Sequence, residues 1–387
     1  MQFLDVDVVQ RTIADEDADA DEEQLRIISQ RQDTMTSMLM DLVVDHRTED
    51  PTDRLRKIRE LHDHVQDRCR ALYKPRQRIA IDERMVKCKG RASFIQYLPA
   101  KPVKWGFKVF AACDAANAIL FNFEVFTGQM ENAGGLAHDT VLRLMDGVLD
   151  KGHVLFTDNF YTSSNLAQSL LDRHTYLVGT VRLNRRGVPD LFKTDTKQFE
   201  RQAPTGTLRY VRDGPVVYQQ WKDKRCVSVL STAHKGHDQV QVTRNRKVNG
   251  VYAQVNIPQP LSIADYNKSM GGVDLFDQHI AAYRTLRRCK KYWKSLFLDM
   301  LDIAATNSYR IFELYRADHP GAIERRRHHR HTSFRANLIR QLANLDIGAP
   351  LPKRRYSAPP QAPTPAEVAL MHVPKHSPDL KRNCVNC

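Results

Sequence analysis

The chain changes its hydrophobic period several times. Leu55, Ile58, Leu61, His62 and Val65 recur at helical spacing and continue to Cys69 and Leu72, with Pro75 ending the run. The period then shortens. Ile79–Ile81, Ser93–Leu98, Trp105–Cys113 and Ala118–Thr127 read as strands, and the DAAN of residues 114–117 is a turn between the last two. Val141–Leu149 returns to helical spacing. Val154, Leu155 and Phe156 form a short apolar run that leads to Asp158, and capping residues Thr162–Asn165 precede a helix that begins at Leu166. Tyr176–Val181 is a further strand. Strands interleaved with helices predict an α/β core.

Past this core the pattern is different. Asn184–Gln202 is polar and basic. Thr207–Val211, Val216–Trp221 and Cys226–Ser231 are β-like runs without helices between them, so they predict an inserted β element, closed by the proline-containing Asn256–Pro260. Ile263–Tyr283 predicts a helical region interrupted by Gly271 and Gly272. Tyr292–Tyr315 predicts a long helix with a stripe of Leu296, Met300, Ile303, Asn307 and Ile311, and Ser333–Leu345 a shorter one. Leu25–Val44 has spacing compatible with a helix, between two polar segments.

Charge adds a second layer. The 387 residues carry a formal net charge of +14, yet residues 1–50 hold 14 acidic and 4 basic side chains, which leaves about +24 on the rest. A basic body with an acidic N-terminal segment points to a polyanion, most often nucleic acid. No apolar run approaches the roughly 18–20 residues of a membrane span, and the acidic start is not a signal peptide. Seven cysteines, an odd number, in a chain of this size predict a reducing compartment rather than a disulfide framework.

Three acids stand in comparable settings. Asp82 ends the first strand of the core, Asp158 follows the apolar run after the first core helix, and Asp274 lies in the helical region beyond the β element. A lone acid at a strand end most often caps the next helix. Two on neighbouring parallel strands would instead emerge side by side at the carboxyl edge, where open α/β sheets carry their sites. Clustered carboxylates demand cations, and oxygen ligands suit Mg²⁺ or Mn²⁺, two of which can serve phosphodiester chemistry.

Around these acids the chain resembles piggyBac-type transposases. AIDERMVKCKGR at Asp82, PVKWGFKVFAACD, FNFEVFTG, HVLFTDNFYTS at Asp158, YNKSMGGVDLFDQ at Asp274 and RRCKKYWKSLFLDMLDIAATNSYRIF occur in family order, from about Asp53 to Phe312. The resemblance implies a ribonuclease-H-like mixed sheet with flanking helices, a β-rich insertion and a helical DNA-binding and dimerisation region. It implies that Asp82, Asp158 and Asp274 bind Mg²⁺ or Mn²⁺ and cut DNA by hydrolysis and strand transfer. Asp277, three residues from Asp274 on one helical face, would assist them. A homodimer, a nuclear location and no small-molecule cofactor go with that reading. The alternative is a domesticated or degenerate copy that binds DNA or protein without cutting.

The resemblance also divides the chain: 1–52 as an acidic segment without regular structure, 53–77 as a helical remnant, 78–185 as catalytic core, 186–261 as β-rich insertion, 262–284 as core with the third acid, 285–345 as helical DNA-binding and dimerisation region, and 346–387 as a basic tail without regular structure. Lys89 and Arg91, and Arg287, Arg288, Lys290 and Lys291 at the head of the long helix, are candidate phosphate contacts. Arg325–Arg327 and Arg330 are a further basic cluster suited to nucleic acid or nuclear import. Trp105 and Trp293 are expected to serve core or helix packing, with stacking on bases as the alternative. Cys384 and Cys387 make half of a zinc site. His372 and His376 are separated by Pro374, which breaks the helix that would align them, so zinc is not expected. Relative to the family, the chain is expected to be truncated at the N-terminus and within the C-terminal cysteine-rich domain.

Overall fold

A computed structural model describes residues 50, 52–99, 101–128, 134–248, 251–285, 289, 291–318 and 331–342. The chain divides into two units, Met1–Leu338 and Ile339–Cys387, and the features below belong to the first, apart from the last four residues of the final helix. The elements run α1 (Arg59–Leu72), β1 (Arg78–Lys87), β2 (Gln96–Tyr97), β3 (Trp105–Asp114), β4 (Leu120–Val125), α2 (Leu136–Leu144), β5 (Val154–Thr157), α3 (Ser164–Leu171) and β6 (Tyr176–Thr180). They continue with α4 (Asp190–Gln202), β7 (Leu208–Asp213), β8 (Val216–Lys222), β9 (Cys226–Ser231), β10 (Gln239–Val248), β11 (Val251–Pro260), α5 (Leu261–Ser269), α6 (Gly272–Ala282), α7 (Tyr292–Asp318) and α8 (His331–Leu342).

Among the described residues, nine strands form one mixed sheet in the order β2-β3-β1-β5-β6-β9-β8-β7, with β4 also paired to β3. β1, β5 and β6 are parallel neighbours, and the remaining pairs are antiparallel. β10 and β11 form a separate two-stranded ribbon.

Strand alternation explains the layers. On β3, Phe107, Val109, Ala111 and Cys113 face one core, shared with Leu61, Val65 and Cys69 of α1, Val273, Phe276 and Ile280 of α6, and Leu296, Met300 and Ile303 of α7. Phe110 and Ala112 face the opposite core with Val141 and Leu144 of α2, Leu166 and Leu170 of α3 and Phe192 of α4. Helices therefore cover both faces, and the central strands read as near-continuous apolar runs for that reason.

Several elements differ from the sequence reading. β1 does not end at Asp82. It pairs with β3 from Ile79↔Asp114 through Lys87↔Gly106, so Asp82, Glu83 and Arg84 lie within a strand whose charges disguise it. The strands expected to form an inserted β element belong to the same sheet as the acids, because β9 pairs with β6. The polar stretch before them contains α4, which buries only Phe192 along its length and so carries little apolar signal. Trp105 is 56% exposed rather than packed in the core. Leu25–Val44, the cluster at 325–330 and the cysteine-containing tail lie outside the described residues.

Candidate active site

Parallel pairing of β1 with β5 sets the site. The register runs from Arg78↔Val154 to Ile81↔Thr157, so the next residues, Asp82 and Asp158, stand level. There β5 ends. The Phe160 N–H donates to Asp158 Oδ1 at 2.8 Å, and the Thr162 hydroxyl donates to the Asp158 carbonyl at 2.7 Å. Ser163 then caps α3, accepting from the Leu166 N–H. The turn thus points the Asp158 side chain back towards β1. β1 continues beyond the level of β5 because β3 still pairs with it, and the Glu83 N–H donates to Asp82 Oδ1 at 2.8 Å.

Three carboxylates converge. Asp82, Glu83 and Asp158 each place one oxygen within 4.8 Å of the others, and all three are half-buried. Lys108 Nζ lies 2.9 Å from Glu83 Oε1 and against the rings of Phe110 and Phe160. Lys101 Nζ donates to the Glu83 carbonyl at 2.9 Å and lies 4.0 Å from Asp82 Oδ1. These two cations do not balance the cluster. Burial pushes the Asp82 carboxyl up to about 7 despite Lys101. Burial likewise raises Asp158, with the Glu83 charge adding to the effect. Burial is also the largest single influence on Glu83, but Lys108, the Asp82 hydrogen bond and Lys101 together outweigh it and hold that carboxyl below its usual range.

A buried hydroxyl completes the surroundings. Tyr161 is 1% exposed, and its hydroxyl lies beside the Glu83 carboxylate. Burial and the neighbouring charges of Glu83, Asp82 and Asp158 raise this phenol well above its ordinary range.

The other candidate residues fall elsewhere. Asp274 is exposed in the first turn of α6, where it complements the helix dipole, and it is not part of the three-carboxylate group. α6 nevertheless starts hard against β1, since a Cβ at Gly272 would lie 3.2 Å from Ala80 Cβ and from Ala115 Cα. Asp277 Oδ1 accepts from Arg84 Nε at 2.7 Å. The Arg84 side chain is fully buried and its two terminal nitrogens donate to the two oxygens of Asp299, at 2.7 and 2.9 Å. Lys89, Arg91 and Lys291 are exposed, whereas Arg287, Arg288 and Lys290 lie outside the described residues. Sequence reasoning did not single out Glu83, Arg84, Lys101, Lys108 or Tyr161. The adjacent Asp-Glu pair at 82–83 was the one visible signal, and strand alternation argues against both side chains sharing a site.

The family model described as Transposase IS4 matches residues 37–309. PiggyBac transposable element-derived protein 3 of Homo sapiens is 28% identical over 297 residues, covering 74% of this chain and 49% of that protein. PiggyBac transposable element-derived protein 2 of Homo sapiens is 24% identical over 279 residues, covering 70% of this chain and 46% of that protein. The chain thus spans about half the length of these curated relatives. A cryo-EM structure of the piggyBac transposase synaptic complex with hairpin DNA superimposes with a TM-score of 0.65 at 24% identity, covering 91% of this chain and 73% of that one, a likeness of fold. No helix among the described residues is long and apolar enough to cross a membrane. The family match takes in β1, β5 and α6, with the acids they carry, and the motifs that resemble piggyBac-type transposases lie largely inside it: the chain belongs to the Transposase IS4 family.

Proposed function

We propose that the chain acts on DNA as a divalent-metal-dependent transposase, hydrolysing phosphodiesters and transferring strands at the centre formed by Asp82 and Asp158. The observation that carries this reading is the convergence of Asp82, Glu83 and Asp158 within 4.8 Å, where β5 ends beside its parallel neighbour β1. The residues fit Mg²⁺ or Mn²⁺: the donors are all hard oxygens, and the two nearby lysines leave Asp82 and Asp158 short of positive charge. Asp82 and Asp158 would hold the ion, with Glu83 as a further oxygen donor. A bound divalent ion would polarise the scissile phosphate and favour the attacking hydroxyl.

The chain's own groups supply the rest. Backbone N–H donors at Glu83 and Phe160 aim the two aspartates, and Lys108 holds Glu83 in place from its seat against two rings. The third-acid role of Asp274 rests on its motif and on the seating of α6 against β1. Asp277 contributes by anchoring that helix to Arg84. Lys89, Arg91, Arg287, Arg288, Lys290 and Lys291 would meet phosphate. The solved relative's hairpin DNA supports DNA as the partner, and a nuclear location and a homodimer belong to the same proposal.

Incubating purified protein with Mn²⁺ and labelled DNA tests it. Wild-type protein is expected to nick or join DNA and Asp158→Ala to do neither. Mn²⁺-independent cleavage, or equal activity in Asp158→Ala, would remove the acids from the mechanism. DNA binding without cleavage by the wild type would favour a copy that binds without cutting.

A further inference from the structure

Far along the sheet from the acids lies an aromatic pair that the proposed chemistry does not use. Tyr97 and Trp105 are directly opposite on β2 and β3, with ring centroids 4.5 Å apart and planes inclined by 31°. They are 50% and 56% exposed. A cross-strand aromatic contact stabilises a strand pair, but that alone does not require both rings to remain half in water.

Their surroundings select an occupant. The 22 residues from Lys87 to Lys108 contain six cations, Lys87, Lys89, Arg91, Lys101, Lys104 and Lys108, and no Asp or Glu. Lys87, Lys89, Arg91 and Lys104 are exposed and make no ion pair with the described residues. Lys101 and Lys108 reach the acid cluster, so one basic segment joins the aromatic pair to the candidate centre. Asp82 is opposite Ala111 on β3, and Trp105 lies six residues earlier on that strand, beyond the helix-covered Phe107 and Val109 and about 20 Å away at ~3.4 Å per residue. A polyanion with flat faces satisfies both features: cations track the backbone while rings stack on bases.

We propose that Tyr97 and Trp105 form a stacking platform for an unpaired nucleotide of the DNA substrate. This rests on the DNA reading above and specifies which part of the DNA the surface takes. Bases stacked inside a duplex offer no free face, so the platform discriminates single-stranded segments from the interior of a duplex.

The test uses the full chain and two labelled DNAs of equal length, a blunt duplex and a duplex with a single-stranded overhang, followed by fluorescence anisotropy. Trp105→Ala is expected to weaken overhang binding roughly tenfold, within the range for loss of one stacked base, and to leave the blunt duplex within about twofold. Trp105→Phe should retain most of the overhang affinity, and Tyr97→Ala should lose part of it. Both side chains are exposed, which spares the fold. Equal losses on both DNAs would make the patch a general surface and overturn the proposal. No loss on either would assign the rings to strand pairing or to a protein contact and overturn it as well. Blunt-duplex binding without an overhang-specific loss defeats the platform alone, whereas a wild-type chain that binds neither DNA defeats the DNA reading with it.

Discussion

Replacing Arg84 with Met isolates what holds α6 and α7 against the strand that carries Asp82. The Arg84 guanidinium is 0% exposed and Asp299 is 4% exposed, so the pair is removed from water on both sides. Met fills much of the same volume but leaves the Asp299 carboxylate buried, with only Arg284 in reach among the described residues, at 3.9 Å. Breaking a buried pair by removing one partner costs about 3–5 kcal/mol, because the remaining charge is uncompensated. Asp277 is 36% exposed and regains water, so it adds little. Against a typical total of 5–15 kcal/mol, the loss is severe. Urea unfolding followed by circular dichroism measures it, and the double variant Arg84→Met/Asp299→Leu supplies the control. Exchanging a whole buried pair for apolar side chains is often close to neutral, so the double variant should be more stable than Arg84→Met alone. A single-variant loss under about 1 kcal/mol, or a double variant as unstable as the two single losses combined, would refute the assignment of Arg84 as the buried anchor.

Two further outcomes follow from the site and its sheet. In metal-free protein, Asp82 keeps its proton up to about pH 7, whereas the unfolded chain releases it near pH 4. The fold then binds more protons between those values, so stability is full below about pH 4 and declines as pH rises through 7. Asp158 adds to this trend and Glu83 opposes it. Thermal melts from pH 5 to 8 in EDTA should show the decline, and Mn²⁺ should flatten it; an EDTA curve that rises across this range would contradict the burial argument. At Gly106, an added Cβ would lie 2.1 Å from the Val86 carbonyl oxygen, a backbone atom that cannot rotate away. Gly106→Ala should therefore destabilise by about 1–3 kcal/mol, as overpacking does, and urea midpoints equal to wild type would show that the strands separate without penalty.

Asp82 and Asp158 were legible in the sequence because each follows an apolar run short enough to be a buried strand. Their alignment followed from strand order, and the parallel register of β1 and β5 supplies it. Glu83 was not legible. Alternation sends neighbouring strand residues to opposite faces, and its place in the group depends on Lys108 and on the turn after β5. Arg84 was hidden for another reason: a cation in an apolar strand looks like an end signal until partners 193 and 215 residues away are known. The attachment of β7–β9 to the main sheet depends on β9 pairing antiparallel to β6, and nothing local distinguishes that from a separate sheet. Trp105 was expected inside because tryptophan is usually well buried, yet its strand begins at the rim.

The same buried guanidinium constrains how the chain is made. Synthesis at about 5–20 residues per second leaves roughly 10–40 s between the emergence of Arg84 and that of Asp299, 215 positions later. β5 emerges much sooner, so β1 and β5 can pair while one face of the sheet still waits for α6 and α7. During that interval Val86, Phe107, Val109 and Ala111 have no helical cover from the C-terminal side, and Arg84 must stay hydrated among them. The nascent chain therefore presents a wet, half-finished apolar face until the start of its last quarter has left the ribosome, which makes it a natural client for chaperones that bind exposed apolar surface.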